Sequence, residues 1–223
     1  MVNHIPQGAL ASETWRMFRV LSEFVNGIET LSNVGPCVSI FGSARTKPDD
    51  KYYKQAVEMG KLCAENGYGV ITGGGPGIME AAHVGAAGAG GKAIGLNIQL
   101  PMEQHPNKYQ NLQLEFYYFF VRKVMFLRWC SAVIVCPGGF GTLDEAFEML
   151  TLIQTEKTQK IPLIFMGKDF WQGMIEWIKQ KMLLENQYIS PQDPDLITMT
   201  DDPDEAVAII NEFNKKRKHA TNF

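Results

Sequence analysis

The chain alternates between two hydrophobic periods. Short apolar runs rich in β-branched residues are each followed by a longer stretch with apolar residues at helical spacing. The strand-like runs cover 37–41, 69–72, 92–96, 112–116, 132–136 and 162–165, with 196–199 as a last candidate. Helical patterns follow at 51–66, 77–89, 119–130, 141–156, 170–185 and 203–216, and one more precedes them at 12–32, with Ser12 as its cap and Glu13 in its first turn. Strands regularly separated by helices require crossover connections. The expected fold is therefore α/β: a Rossmann-like, doubly wound, mostly parallel sheet of about six to seven strands with helices on both faces. No internal repeat or low-complexity linker divides residues 1–223, which reads as one nucleotide-binding domain with a helical extension over 1–35. The polar stretch 102–113 interrupts the alternation and reads as a surface loop.

Composition narrows the function. The net charge of −3 is too small for an electrostatic nucleic-acid binder, and no apolar run approaches the length of a membrane span. The first residues have neither the basic nor the apolar region of a secretory signal. Cys37, Cys63, Cys130 and Cys136 form no CxxC pair and read as buried, reduced thiols of a cytoplasmic protein. His4, His83, His105 and His219 are scattered, so neither a metal nor an organic cofactor is expected. The basic run Lys215-Lys216-Arg217-Lys218 complements a helix C-terminal dipole.

Glycine marks where a ligand would bind. Nine of the 21 glycines fall between Gly73 and Gly95, and three more form Gly138-Gly139-Phe140-Gly141. Three glycine loops follow strand candidates: 41–45, containing Ser43; 72–80, containing Gly74, Gly75, Gly77 and Glu80; and 136–145, containing Gly138, Gly139, Gly141 and Thr142. In open parallel sheets, ligands sit at the carboxyl ends of strands, where free N–H groups at a helix start attract an anion. Pro76 fits the first position of the following helix. Two known fingerprints fail. A dinucleotide GxGxxG starting at Gly73 would need glycine at Ile78, and Asn97 stands where an acidic residue is required. A phosphate-binding GxxxxGK[ST] ending at Gly91-Lys92 would need glycine at Ala86 and a hydroxyl at Ala93.

Two titratable positions stand out, each with an ordinary structural reading beside it. Thr142-Leu143-Asp144-Glu145 has the spacing of a capping box, in which Glu145 reaches back to the helix start. Arg122-Lys123 follows the aromatic run Phe116–Phe120 and could be a surface ion pair. A helix entered from the fourth strand would instead carry Arg122 to the strand carboxyl ends, where a guanidinium can hold a phosphate or orient a carboxylate.

In combination these segments resemble the Lonely Guy (LOG) family, whose members are often labelled "possible lysine decarboxylase". The family pattern PGGxGTxxE appears as Pro137 to Glu145, the arginine–lysine pair as Arg122-Lys123, and the glycine loop as Gly73 to Glu80, within a match in order and spacing from about Cys37 to Phe213. The resemblance implies a hydrolase that splits a nucleoside 5′-monophosphate, of the AMP or cytokinin riboside 5′-monophosphate type, into free base and ribose 5-phosphate. It also implies a homodimer or larger homo-oligomer, with Arg122 and Glu145 catalytic. Ser43, Gly74, Gly75, Gly77, Glu80, Lys123, Gly138, Gly139, Gly141 and Thr142 are the expected substrate contacts. Plant members typically read PGGYGTLEE where this chain has Phe140 and Asp144, differences that bear on the base rather than on phosphate or ribose. Other readings on the same fold are a non-catalytic nucleotide sensor and a carrier of a phosphorylated cofactor such as molybdopterin. Pyridoxal-phosphate decarboxylation lacks a recognisable Schiff-base lysine.

Overall fold

A computed structural model of the chain describes residues 7–100, 105–215 and 222. His4, His219, the first residues of the 102–113 stretch and Lys216-Arg217-Lys218 lie outside the described residues.

The seven strand candidates all form: β1 (Cys37–Phe41), β2 (Gly69–Thr72), β3 (Ala93–Ile98), β4 (Leu112–Phe116), β5 (Cys130–Val135), β6 (Leu163–Met166) and β7 (Ile197–Thr200). They pair in parallel throughout, in the order β4-β3-β2-β1-β5-β6-β7. The helices are α1 (Gln7–Leu31), α2 (Lys51–Glu65), α3 (Ile78–Gly88), α4 (Phe119–Arg128), α5 (Phe140–Gln154), α6 (Lys168–Trp177), which continues as a π-helix over Ile178–Glu185, and α7 (Pro203–Lys215).

The five inner strands are buried on both sides, while the edge strand β4 leaves Gln113 and Glu115 exposed. Phe41, Ile71, Leu96, Val133 and Phe165 point to one face, packed with residues of α1, α4, α5 and α6. Ile40, Val70, Ala93, Ile134 and Ile164 point to the other, packed with α2, α3 and α7. Period-2 alternation and two-sided burial together explain why these runs read as almost wholly apolar.

Three local expectations need correction. Helix α1 begins by Gln7, so Ser12 lies in its interior and caps nothing; Ala9, Leu10 and Ala11 are good helix formers that extend it backwards. Helix α3 begins at Ile78 with Gly77 as its N-cap, which leaves Pro76 ahead of the helix. The stretch expected as a surface loop turns inward at Asn107 and Gln110. Asn107 donates from its amide to the Gly74 and Gly75 carbonyls at 3.0 Å each, and Gln110 donates to the Gly74 carbonyl at 2.8 Å.

Candidate active site

The sheet order places a topological switch between β1 and β5. The chain leaves β1 toward β2 on one side, while β5 leads to β6 on the other, so their connections diverge and open a crevice above the paired ends Phe41 and Val135. The three glycine loops meet there. Ser43 N–H donates to the Pro137 carbonyl at 3.0 Å, and the Ser43 carbonyl accepts from Ile78 N–H at 3.0 Å. Gly77, at φ +68°, lies so close to this junction that a Cβ would sit 2.3 Å from the Ser43 oxygen. Gly74, at φ +74°, is similarly confined, with a Cβ position 2.0 Å from Asn97 Oδ1. Only glycine supplies both the left-handed backbone and the missing volume at these two positions. Beneath them, buried His83 bonds Thr72 and the Ile94 carbonyl at 3.1 Å each, and Asn107 through its other ring nitrogen. Burial lowers its pKa to about 4, so it stays neutral.

Above this junction lies a cleft of ≈ 630 Å³. One end is formed by Ser43, Gly139, Gly141 and Thr142, around the start of α5. That helix has Gly139 at its N-cap and no side-chain cap, and neither Gly139 nor Gly141 would bring an added Cβ within 4 Å of another group. An uncapped helix start with open space before it is a ready anion site. The apolar part of the lining is made by Met79, Ile98, Leu100, Phe119 and Phe126, with Phe41 and Phe140.

Arg122 from α4 and Glu145 from α5 line the same cleft. Arg122 Nη2 lies 3.9 Å from Glu145 Oε1, and the guanidinium is held between two rings, 5.1 Å from the Phe119 centroid and 5.5 Å from that of Phe126. Each residue keeps one buried polar atom without a hydrogen-bond partner: Nε of Arg122 and Oε2 of Glu145. Buried orphan polar groups are expensive, and two of them on one ion pair that lines a cleft single out Arg122 and Glu145 as candidate functional residues. Arginine beside a carboxylate ordinarily favours its ionised form. Here burial outweighs the attraction of Lys123 and Arg122 and pushes the Glu145 pKa up to about 7. Desolvation likewise lowers the Arg122 pKa.

The capping-box reading of Glu145 also fails. Because α5 starts at Phe140, Thr142 lies in its first turn, with its N–H donating to the Gly139 carbonyl at 3.0 Å, and Glu145 is too deep in the helix to reach the cap. The three-residue spacing suits a box, but the helix starts too early.

Of the expected contacts, Ser43, Arg122, Gly139, Gly141, Thr142 and Glu145 line the cleft. Gly74, Gly75, Gly77 and Gly138 do not; they form the junction below it, where a Cβ on Gly138 would meet Thr142 Oγ1 at 2.1 Å. Glu80 is half-buried near Tyr53, whose hydroxyl is made less acidic first by burial and then by the charge of Glu80. Lys123 turns away to pair with Asp144 at 2.8 Å and Glu148 at 3.0 Å, tying α4 to α5. Arg45 and the apolar wall join the lining without having been singled out as contacts. The arginine belongs to the glycine loop 41–45, but isolated apolar residues on α3, β3 and α4 give no sequence sign of facing a cleft.

Residues 79–210 match the family described as "possible lysine decarboxylase". A probable cytokinin riboside 5′-monophosphate phosphoribohydrolase, LOGL5, from Oryza sativa is 30% identical over 120 residues, 52% of this chain and 48% of the rice protein. Among solved structures, TM1055 is 26% identical with a TM-score of 0.60, over 79% of this chain and 99% of that one. The molybdenum cofactor binding protein of Rippkaea orientalis shares the fold at 22% identity and a TM-score of 0.58, over 80% and 96% of the two chains. The family match takes in both Arg122 and Glu145 and spans more than half of the sequence. The chain belongs to the possible lysine decarboxylase family, the Lonely Guy family that its PGGFGTLDE segment resembles.

Proposed function

We propose that this protein hydrolyses the N-glycosidic bond of nucleoside 5′-monophosphates, releasing free base and ribose 5-phosphate. The observation that carries the reading is the buried Arg122–Glu145 pair, each residue with an unpartnered polar atom, facing the same cleft as the uncapped start of α5. The rice relative, a probable phosphoribohydrolase, is named for an activity of this class.

The 5′-phosphate sits at the N-terminus of α5, against the Gly139–Thr142 backbone and Ser43. Glu145, two turns into the same helix, then lies below the ribose. Cleavage develops positive charge on the sugar, which the ionised carboxylate stabilises while accepting a proton from the attacking water. Water oxygen bonds to C1′ as the C1′–N bond breaks; the base leaves with the bonding pair and takes up a proton. Arg122 pairs with the carboxylate and brings its guanidinium charge to the cleft. The apolar wall of Ile98, Leu100, Phe119 and Phe126 suits a flat purine, with or without an apolar substituent, so AMP and cytokinin riboside 5′-monophosphates are both candidate substrates. Self-association is part of the proposal: Trp15, Phe18 and Val25 on α1, with Tyr117, Phe119 and Phe120 beside it, are all exposed.

Base release from AMP and adenosine, followed by chromatography, tests the reading. AMP should be the far better substrate. Equal cleavage of adenosine would remove the phosphate argument, and binding without base release from any 5′-monophosphate would leave a nucleotide sensor.

A further inference from the structure

Helix α4, which carries Arg122, begins in the aromatic run Phe116–Phe120, where no Ser, Thr, Asp or Asn is available as a cap. Its N-cap Tyr118 makes no side-chain capping bond, and its first turn holds no acidic residue. The missing acceptor comes from α1. Tyr117 N–H donates to Glu23 Oε1 at 3.0 Å, and Tyr118 N–H donates to Glu23 Oε2 at 3.3 Å. The Tyr118 carbonyl in turn accepts from the Arg122 N–H at 3.2 Å. A carboxylate bridging two free amides at a helix start also complements the helix dipole.

The rest of the α1–α4 contact holds that bridge in place. A Cβ on Gly27 would lie 2.7 Å from Met125 Sδ, so the two helices meet closely one turn beyond Glu23. Val20 and Phe24 pack on the core cluster that contains Tyr118, Val121 and Met125, and Arg16 lies 6.0 Å from the Tyr118 ring centroid. All of α1 precedes residue 79, where the family match begins.

We propose that Glu23 is a positioning residue for Arg122, acting through the backbone of Tyr118, and that α1 is thereby part of the active-site scaffold. The proposal rests on the reading of the cleft as a phosphoribohydrolase site. Four charged groups act on Glu145 through their fields: Lys123 and Arg122 on α4, and Glu148 and Asp144 on α5. Both cations ride on α4, so loosening the start of that helix withdraws the charges that favour ionised Glu145. The anions move with Glu145 on α5.

The test compares full-length Glu23→Ala and Glu23→Gln with wild type, and uses Glu29→Gln, an exposed position of the same helix, as control. Two quantities are read in protein shown to be folded by circular dichroism. One is the Glu145 titration midpoint from carbon NMR of labelled carboxyl groups, assigned with Glu145→Gln. The other is kcat and KM for AMP. In Glu23→Ala the midpoint should rise by roughly half a unit, as expected for a cation retreating about 1 Å. Its kcat should fall roughly 10- to 100-fold, with a smaller change in KM. Glu23→Gln keeps one acceptor oxygen and should shift both in the same direction by less; if Glu23→Ala does not fold, this variant decides. An unmoved midpoint, or an equal shift in Glu29→Gln, overturns the proposal. A wild-type protein inactive on every 5′-monophosphate would overturn the assigned function instead, with the NMR titration still judging Glu23.

Discussion

Replacing Glu145 by glutamine should make the protein both less active and more stable. Burial holds the carboxyl near 7 instead of its ordinary 4.5, after the attraction of Lys123 and Arg122 is included. Below pH 4.5 the group is protonated in folded and unfolded chains alike, so it contributes no penalty. As pH rises from 4.5 toward 7, the unfolded chain gives up the proton before the folded one, and native stability falls. Above 7 the full penalty remains. A shift of this size corresponds to at most about 3.5 kcal/mol at ~1.4 kcal/mol per unit, and relaxation around the charge trims it to roughly 1–3 kcal/mol. Glutamine has nearly the same shape and never ionises. Glu145→Gln should therefore nearly match wild type in stability at pH 4.5 and exceed it at pH 8, raising Tm by roughly 2–12 °C at ~2–4 °C per kcal/mol. Base release from AMP should fall roughly 100-fold or more, while nucleotide binding is retained. Asp144→Asn is the control: its half-exposed carboxylate pairs with Lys123, so stability should change by less than ~1 kcal/mol and activity only slightly. Denaturant unfolding at the two pH values and chromatographic base release measure both halves. A variant no more stable than wild type at pH 8 would refute the burial argument; near-normal base release would refute the mechanism.

Arg122→Lys should fare little better than Arg122→Ala, each losing roughly 100-fold in kcat, because an ammonium cannot reproduce a planar cation set between Phe119 and Phe126; restored activity in the lysine variant would show that charge alone suffices. Two glycine substitutions separate ligand space from packing. Gly139→Ala should fold normally and raise KM for AMP, since its Cβ points into open cleft, whereas Gly74→Ala should lose roughly 2–4 kcal/mol in urea unfolding because φ is +74° and Asn97 occupies the space. Comparable stability of the two variants would remove the distinction drawn between cleft and junction.

Local periodicity carried the fold a long way. Every strand run and every helical pattern formed within a few residues of the expected limits, because apolar spacing and glycine punctuation act over one turn or one strand at a time. The motif Pro137–Glu145 and the pair Arg122-Lys123 were equally visible as strings of residue types. What each glycine does was not. Gly139 and Gly141 face a cleft while Gly74 and Gly77 lock a backbone junction, and the difference lies in Ser43, Asn97, Asn107 and Gln110, which are distant in sequence. Lys123 is adjacent to Arg122, yet successive helix residues point about 100° apart, so one enters the cleft and the other pairs with Asp144 and Glu148. The role of Glu145 turned on where α5 starts: the residues of a capping box were present, but the helix began at Phe140 and left the carboxylate buried without a cap to make. Sequence by itself determined the elements and the chemistry available. Tertiary structure decided which of those groups lose water together, because burial and orphaned hydrogen bonds depend on neighbours that only the folded sheet brings to the β1–β5 switch.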